Sequence, residues 1–393
     1  MKKVIITDLL ILAVFGSTCF WSVKKDRLTA LVDKILTEQT SEDEEILVLT
    51  SSNLAKKNGQ IGETQMSENA DKASEENTTK DYIKWVDFTV SKFALTESYE
   101  YDRDTYGTDR HISWIDLLAW TAAHTGGKFG DDRTVCKCME ELEMEAEAGK
   151  KLEELTEDLE YFPYYREVYE TVLGGMVGEY EIEEPDAQGR KVTQKRYGLK
   201  AFHPIAKGFP YTDYDDFGAS RSYGYRREHL GHDMMGQVGT PVVCVESGYV
   251  EALGWNQYGG WRIGIRSFDK KRYYYYAHLR QGFPYQPELK EGSVVLAGDV
   301  IGYMGHTGYS TKEDVNNIDQ THLHVGMQLI FDESQKDSDN EIWIDCYQIM
   351  GFLYRNQSET ARNDETKEWR RIYEMKDPAA EKYERTLDFS MYP

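Results

Sequence analysis

Histidine and aspartate residues in the second half of the chain have the types and spacing of metal ligands. His229 and Asp233 lie four residues apart, with Gly231 between them. Imidazole nitrogen and carboxylate oxygen both bind zinc, and a glycine lets the backbone bend so that the two side chains converge. Because this spacing is common by chance, it is only a weak indication of a metal site when taken alone.

Two further segments supply histidines with a favourable placement. His322 and His324 lie two residues apart in an apolar run. In a β-strand such residues face the same side, so both imidazoles are expected on one face. His278 ends a predicted strand, from which a side chain can point into a cleft. The paired histidines are a moderately specific sign of a metal site, and the alternative is two surface histidines.

Together these segments resemble the lysostaphin/LytM-type zinc endopeptidases of the bacterial cell wall. The resemblance covers residues 201–332 and extends beyond the histidines. It is carried by HLGHDMMGQVGTPVVCVESGYV at 229–250, GGWRIGI at 259–265, YYYYAHL at 273–279, LKEGSVVLAGDVIGYMGHTGYST at 289–311 and THLHVGMQL at 321–329.

The resemblance implies a role for each of five residues. His229, Asp233 and His324 match the zinc ligands of the family, and three protein ligands leave one position for water, as catalytic zinc requires. His322 and His278 match the active-site histidines, which would share general-base catalysis and stabilisation of the oxyanion. The expected cofactor is Zn²⁺, and the implied substrate is peptidoglycan, cut in its stem peptide or cross-bridge.

Two features depart from the family pattern. Residues 312–320 form an extra loop, and its acidic residues Glu313, Asp314 and Asp319 are expected at the rim of the cleft, where they could alter specificity. The strand that carries the paired histidines continues with Val-Gly at 325–326, where the family usually has Phe-Glu. Because neither change removes a ligand, we expect peptidase activity with a different substrate preference.

The motifs allow two other interpretations. Membrane-anchored relatives can be non-catalytic scaffolds or regulators of other cell-wall enzymes, but such members usually lose ligands that this chain retains. His232 with Asp233 also matches the His-Asp pair of metal phosphohydrolases, whose fold is all-helical, unlike the glycine-rich surroundings here. His203 and His306 have no assigned role, although His306 lies in a turn from which it could line the cleft.

The expected fold class is α+β with several domains. Dense glycines and short alternating strands at 201–332 predict a mostly antiparallel β catalytic domain, and the resemblance implies the duplicated hybrid motif of the lysostaphin-like fold. Apolar residues at helical spacing predict a small helical domain at 82–177, which could bind a protein partner. Two alternating runs predict a hairpin linker at 178–200, and residues 333–393 form a C-terminal extension.

The N-terminal residues predict a location outside the cytoplasm. Val4 to Val23 form an apolar run flanked by lysines, long enough to cross a membrane as a helix. Residues 1–25 are therefore predicted to be a membrane anchor or a signal sequence, and residues 26–81 a polar tether. We expect a single-pass protein of the cell membrane with an extracytoplasmic catalytic domain, or a secreted protein if the segment is cleaved.

Composition argues against other classes of protein. The 393 residues carry a formal net charge of −23. Since nucleic-acid binders present a basic face to the phosphate backbone, no nucleic-acid partner is expected. The five cysteines include no CxxC pair, which argues against a disulfide framework and a cysteine metal site.

Overall fold

The computed structural model describes residues 84–86, 88–222, 226–336 and 341–390. The predicted anchor at 1–25 and the predicted tether at 26–81 lie outside the described residues. Within the ranges that are described, none of the helices has the length and apolar character needed to span a membrane.

Five helices lie in the first part of the described chain and two near its end. Their bounds are α1 Lys92–Thr105, α2 Trp114–Thr125, α3 Asp132–Glu147, α4 Leu152–Thr156, α5 Phe162–Leu173, α6 Tyr347–Leu353 and α7 Pro378–Ser390.

The ends of α2 show why the helix forms at that point. The Ser113 side chain accepts a hydrogen bond from the Asp116 backbone N–H at the N-terminus. At the C-terminus Gly126 adopts a left-handed conformation with φ of 62°, and its N–H donates to the Ala122 carbonyl. Both are standard capping arrangements, which satisfy backbone groups that have no partner inside the helix. The sequence therefore determines both ends of α2.

The strands are short and mostly antiparallel. Their bounds are β1 Lys84–Val86, β2 Val177–Pro185, β3 Lys191–Leu199, β4 Thr212–Asp213, β5 Ser220–Ser222, β6 Arg226–Glu228, β7 His232–Met235, β8 Pro241–Val243, β9 Gly248–Asn256, β10 Gly260–Ser267, β11 Arg272–Ala277, β12 Val294–Val295, β13 Val300–Tyr303, β14 His322–Leu329, β15 Ile342–Ile344, β16 Thr360–Arg362, β17 Trp369–Arg371 and β18 Met375–Lys376.

Strand β14 occupies the centre of the largest sheet. One of its edges pairs with β11, and the other pairs first with β7 and then with β15. Beyond β11 the sheet continues through β10 and β9 to β12, while β4 extends it beyond β7. These pairings are all antiparallel, and β1 adds a parallel strand outside β15. The part of the chain predicted to be catalytic is therefore mostly antiparallel β structure, as expected.

The chain segments before and after this sheet pack closely against it. The Arg272 guanidinium at the start of β11 is buried, and it donates to the Glu246 carboxylate and to the Thr171 carbonyl in α5. Strand β18 pairs with β2, whose other edge pairs with β3. Apolar side chains from the helices and from the sheet form one continuous core.

Candidate metal centre

The register between β7 and β14 brings a carboxylate and an imidazole face to face. Asp233 in β7 lies directly opposite His324 in β14. Leu323 and Val325 point into the core and are fully buried. Since side chains alternate along a strand, His322 and His324 both point to the opposite face. The apolar residues on either side thus determine the direction of the two histidines.

Three side-chain atoms converge at this point. His229 Nε2 lies 3.0 Å from Asp233 Oδ1 and 3.0 Å from His324 Nδ1. His324 Nδ1 lies 2.9 Å from the same Asp233 oxygen. In a tetrahedral zinc site the ligand atoms are about 3.3 Å apart, given bonds of about 2.0–2.1 Å. The two nitrogens and the oxygen therefore fit a zinc ion after an opening of a few tenths of an ångström.

A second layer of contacts orients the first of these ligands. His229 Nδ1 donates to the Asp216 carbonyl at 3.1 Å. Because a carbonyl only accepts, Nδ1 carries the proton and Nε2 keeps its lone pair for a metal when the ring is neutral. Arg221 joins the two acids, with one nitrogen in contact with Asp216 and 3.1 Å from Asp233 Oδ2. Asp233 Oδ1 is left to face the two imidazoles.

The charges of this cluster shift the pKa values of its members. Burial lowers the pKa of His229, but the Asp216 and Asp233 carboxylates outweigh burial and raise this pKa to about 9. Burial raises the pKa of Asp233, yet hydrogen bonds from His229 and His324 hold it well below its usual range. Burial lowers the pKa of His324. In the metal-free protein His229 therefore holds the proton of the cluster.

The two remaining predicted histidines lie side by side next to the cluster. The His278 and His322 ring centroids are 4.7 Å apart, and His322 Nε2 is 3.8 Å from Asp233 Oδ1. His278 Nδ1 donates to the Thr307 carbonyl at 3.0 Å, and His322 Nδ1 donates to the Gln320 carbonyl at 2.8 Å. Each neutral ring therefore has its lone pair on Nε2. Burial holds the pKa of His278 well below its usual value, so that ring is neutral.

His278 has an unusual backbone conformation. Its φ is 61°, in the left-handed region that residues other than glycine rarely adopt. Its backbone N–H donates to the Gly259 carbonyl at 2.8 Å, and the Gly305 N–H donates to its carbonyl at 3.0 Å. These two bonds and the Thr307 contact hold the ring towards His322. Strain of this kind is commonly found at functional sites.

The extra loop at 312–320 packs against Trp261 in β10 and the turn at Gly282. Asp314 Oδ1 accepts from the Trp261 indole at 2.8 Å and from the Gly282 N–H at 2.8 Å. Asp314 thus anchors the loop, whereas Glu313 and Asp319 are exposed. His306 Nδ1 donates to the Ile318 carbonyl at 2.8 Å and ties the loop to the turn before it.

The other histidines have structural contacts. His232 is on the opposite face of β7 from Asp233 and bonds Asp213 at 2.9 Å. This placement does not fit a shared His-Asp metal pair. His203 is fully buried, and its Nε2 lies 3.0 Å from the Tyr211 hydroxyl.

The structure brings all five residues predicted for the site together and adds two that the sequence did not reveal. Asp216 and Arg221 lie in a segment without a recognisable motif. Their proximity to Asp233 depends on how the chain folds back between β4 and β7. The only available signal was an acidic pair, Asp215 and Asp216, a short distance before His229.

Gly231 has no room for a side chain. A Cβ at this position would lie 2.5 Å from Cε1 and Nε2 of His324. We expect Gly231→Ala to displace that imidazole and to weaken zinc binding about 10- to 100-fold, the range seen when residues outside the ligand set are changed. Competition with a chromophoric chelator measures the zinc affinity of each variant. Gly130→Ala is the matched control, because a Cβ there meets nothing within 4 Å. Equal affinity in the two variants would contradict this account.

Zinc binding should depend on pH through one proton. Since His229 has a pKa raised to about 9 and the other two ligands have lowered pKa values, zinc displaces the His229 proton at neutral pH. Apparent affinity should rise about tenfold per pH unit from 7 to 9 and then level off. Asp216→Asn should move the plateau to lower pH, since Asp216 helps to raise the pKa. An affinity independent of pH between 7 and 8.5 would refute the assignment.

Comparison with known proteins confirms the family resemblance for this part of the chain. The model of Peptidase family M23 matches residues 227–338. The chain is 42% identical over 124 residues to the L-Ala–D-Glu endopeptidase of Bacillus subtilis (strain 168), which is 32% of this chain and 36% of that protein. It is 39% identical over 84 residues to lysostaphin of Staphylococcus simulans, which is 21% of this chain and 16% of that protein.

A solved structure of a protein named lytM from Ruminococcus gnavus covers 71% of this chain and 92% of its own chain, with 22% sequence identity and a TM-score of 0.45. The chain thus matches about a third of the length of the first of these curated relatives, 36%, and 16% of the second. The ligand cluster and its neighbouring histidines lie inside the matched residues. Residues 227–338 of this chain are a domain of peptidase family M23.

Proposed function

We propose that this protein is a zinc-dependent endopeptidase that hydrolyses peptide bonds in bacterial cell-wall peptidoglycan, in a stem peptide or a cross-bridge. The observation that carries the proposal is the convergence of His229, Asp233 and His324. Beside them lie His278 and His322, and each of these rings, when neutral, has its lone pair on Nε2. The relatives named above support the substrate class, because one is an L-Ala–D-Glu endopeptidase and the other is lysostaphin.

The three ligands would hold the zinc ion, and the two histidines would transfer protons. Zinc, when bound, supplies an activated water and polarises the scissile carbonyl. A neutral imidazole with its lone pair on Nε2 can take the proton of an attacking water. Once protonated, the same nitrogen can donate to a developing oxyanion or to the leaving amine. His322 and His278 both have this tautomer, since each Nδ1 donates to a backbone carbonyl.

The two histidines differ in their surroundings. His322 Nε2 lies 3.8 Å from Asp233 Oδ1 and therefore close to the proposed position of the metal-bound water. Burial keeps His278 neutral by lowering its pKa. We propose that His322 takes the water proton, while His278 binds and orients the reacting groups.

We also propose that the N-terminal segment at 1–25 places the catalytic domain outside the cytoplasmic membrane. This rests on the apolar run between Val4 and Val23 and on the location of the proposed substrate. A protein partner at the helical region remains part of the same proposal. The arrangement would bring a membrane-bound peptidase within reach of the wall.

Two substitutions separate metal binding from catalysis. Asp233→Asn should abolish both zinc binding and peptide release from purified peptidoglycan, since it removes a ligand charge. His322→Ala should keep one zinc per chain but lower the rate about 10²- to 10⁴-fold, the usual contribution of a general base. Zinc content is measured by elemental analysis, and released peptides by mass spectrometry.

His124→Ala is the control, since His124 is an exposed helical residue whose Nδ1 bonds the Trp120 carbonyl in the same helix. It should retain wild-type zinc content and activity. If His322→Ala were as active as the wild type, the proposed proton transfer would be wrong. If the zinc-loaded wild type released no peptide from peptidoglycan, the proposed function itself would be wrong.

A further inference from the structure

Arg262 lies on the same face of the sheet as the metal ligands. Its neighbour Ile263 points into the core and is fully buried, so Arg262 points to the other face. Ile263 pairs with Tyr276 in β11, and the next residue of β11, Ala277, pairs with His324. Arg262 thus lies in the row of the sheet that contains His324. Two strand spacings separate them, about 10 Å.

Arg227 lies on the other side of the metal ligands, next to Tyr309. It precedes the ligand His229 by two residues, and its guanidinium carbon lies 5.2 Å from the centre of the Tyr309 ring. One of its terminal nitrogens contacts the Tyr309 hydroxyl. The Tyr309 ring is in turn 6.0 Å from the His278 ring. The Tyr309 ring therefore lies between Arg227 and His278.

Tyr275 connects the two arginines with the metal centre. Its ring is 5.9 Å from the His324 ring. Burial raises the pKa of Tyr275, while the hydrogen bond from Asn256 and the charges of Arg262 and Arg227 act to lower it. Both guanidinium groups are therefore within electrostatic range of one phenol that packs against a ligand.

Neither arginine has its hydrogen-bonding capacity satisfied. Nε of Arg227 and Nη1 of Arg262 are buried and have no hydrogen-bond partner within the described ranges. Across the same residues neither side chain forms an ion pair with a carboxylate. In a chain with a net charge of −23, other arginines do have such partners: Arg266 bonds Glu251 and Arg272 bonds Glu246.

Within the described residues neither of these partly dehydrated cations is paired with an anion, which favours an anionic ligand. Guanidinium groups bind carboxylates through paired, charge-assisted hydrogen bonds, and the attraction is stronger where water is partly excluded. Both side chains are only half-buried, so a ligand can reach them. Glu341 also affects Tyr275, but its carboxylate accepts from the Trp343 indole at 2.8 Å.

We propose that Arg227 and Arg262 form a subsite for a free carboxylate on the substrate, carried by a residue next to the scissile bond. This inference rests on the proposed peptidase function and narrows its substrate to acidic peptides. A carboxylate about 10 Å or less from the metal is within reach of a residue adjacent to the reacting bond, because one extended residue spans about 3.3 Å and a glutamate side chain adds to that length.

Binding rather than turnover tests the subsite. The zinc-loaded His322→Ala protein is titrated by calorimetry with short peptides that contain Ala-Glu or Ala-Gln. Each peptide is used in two versions, one with the Glu or Gln residue in the L form and one with it in the D form. The carboxylate peptide of one form should bind about 10- to 100-fold more tightly than its carboxamide counterpart, as expected for hydrogen bonds to a charged group. Equal binding of all carboxylate and carboxamide peptides, or no binding, would overturn the proposal.

Arginine substitutions show where the carboxylate is held. Adding Arg262→Gln or Arg227→Gln should remove most of the preference for the carboxylate and leave binding of the carboxamide peptide unchanged. Arg370→Gln, at an exposed arginine paired with Glu288, should leave the preference intact. A preference that survived both substitutions would place the carboxylate on the metal and would also overturn the proposal. Zinc content and circular dichroism of each variant confirm that it is folded.

These measurements distinguish a failure of the subsite from a failure of the proposed function. A carboxylate preference that depends on the arginines, in a protein whose wild type cleaves neither peptide nor peptidoglycan, would support the subsite and contradict the peptidase. Cleavage of both peptides at equal kcat/KM, with equal binding, would support the peptidase and contradict the subsite.

Discussion

The antiparallel pairing of β7 with the first half of β14 is the constraint on which the site depends. It places Asp233 directly opposite His324, where Asp233 Oδ1 also lies 3.0 Å from His229 Nε2. The register is determined by burial, since Leu323, Val325 and Met234 occupy the core on the other face. A slip of one residue would turn all of these side chains to the wrong side. The apolar residues of two short strands thus determine the geometry of a polar cluster.

The rest of the molecule holds those two strands in place. Strand β14 pairs along its full length, with β11 on one edge and with β7 and β15 in succession on the other. The segment after residue 340 therefore completes the sheet that carries the ligands. Buried contacts such as that of Arg272 with Glu246 and with α5 join the helical part to the same sheet. The hydrogen bond from Arg272 to the Thr171 carbonyl crosses between the two parts, and Glu246 holds the guanidinium in the position from which it donates.

Much of the site could be predicted from the sequence because its residues lie in short motifs. A strand with histidines two apart and a glycine bend between His229 and Asp233 are local features. The caps of α2 at Ser113 and Gly126 are equally local. The contacts of Asp216 and Arg221, and the unsatisfied nitrogens of Arg227 and Arg262, arise only when distant segments meet. The left-handed backbone of His278 likewise depends on its tertiary hydrogen bonds, since no local pattern favours it there.

X-ray absorption spectroscopy of the zinc-loaded full chain tests the central claim most directly, because it reports the atoms around the metal without reference to activity. The account predicts one zinc per chain in four-coordinate geometry. Two imidazole nitrogens and two oxygens, one from a carboxylate and one from water, should lie at about 2.0–2.2 Å. Like Asp233→Asn, His324→Ala should remove a ligand and leave the chain without this zinc signal. A sulfur shell at about 2.3 Å, or an unchanged spectrum in His324→Ala, would contradict the assignment of His229, Asp233 and His324 as the ligands.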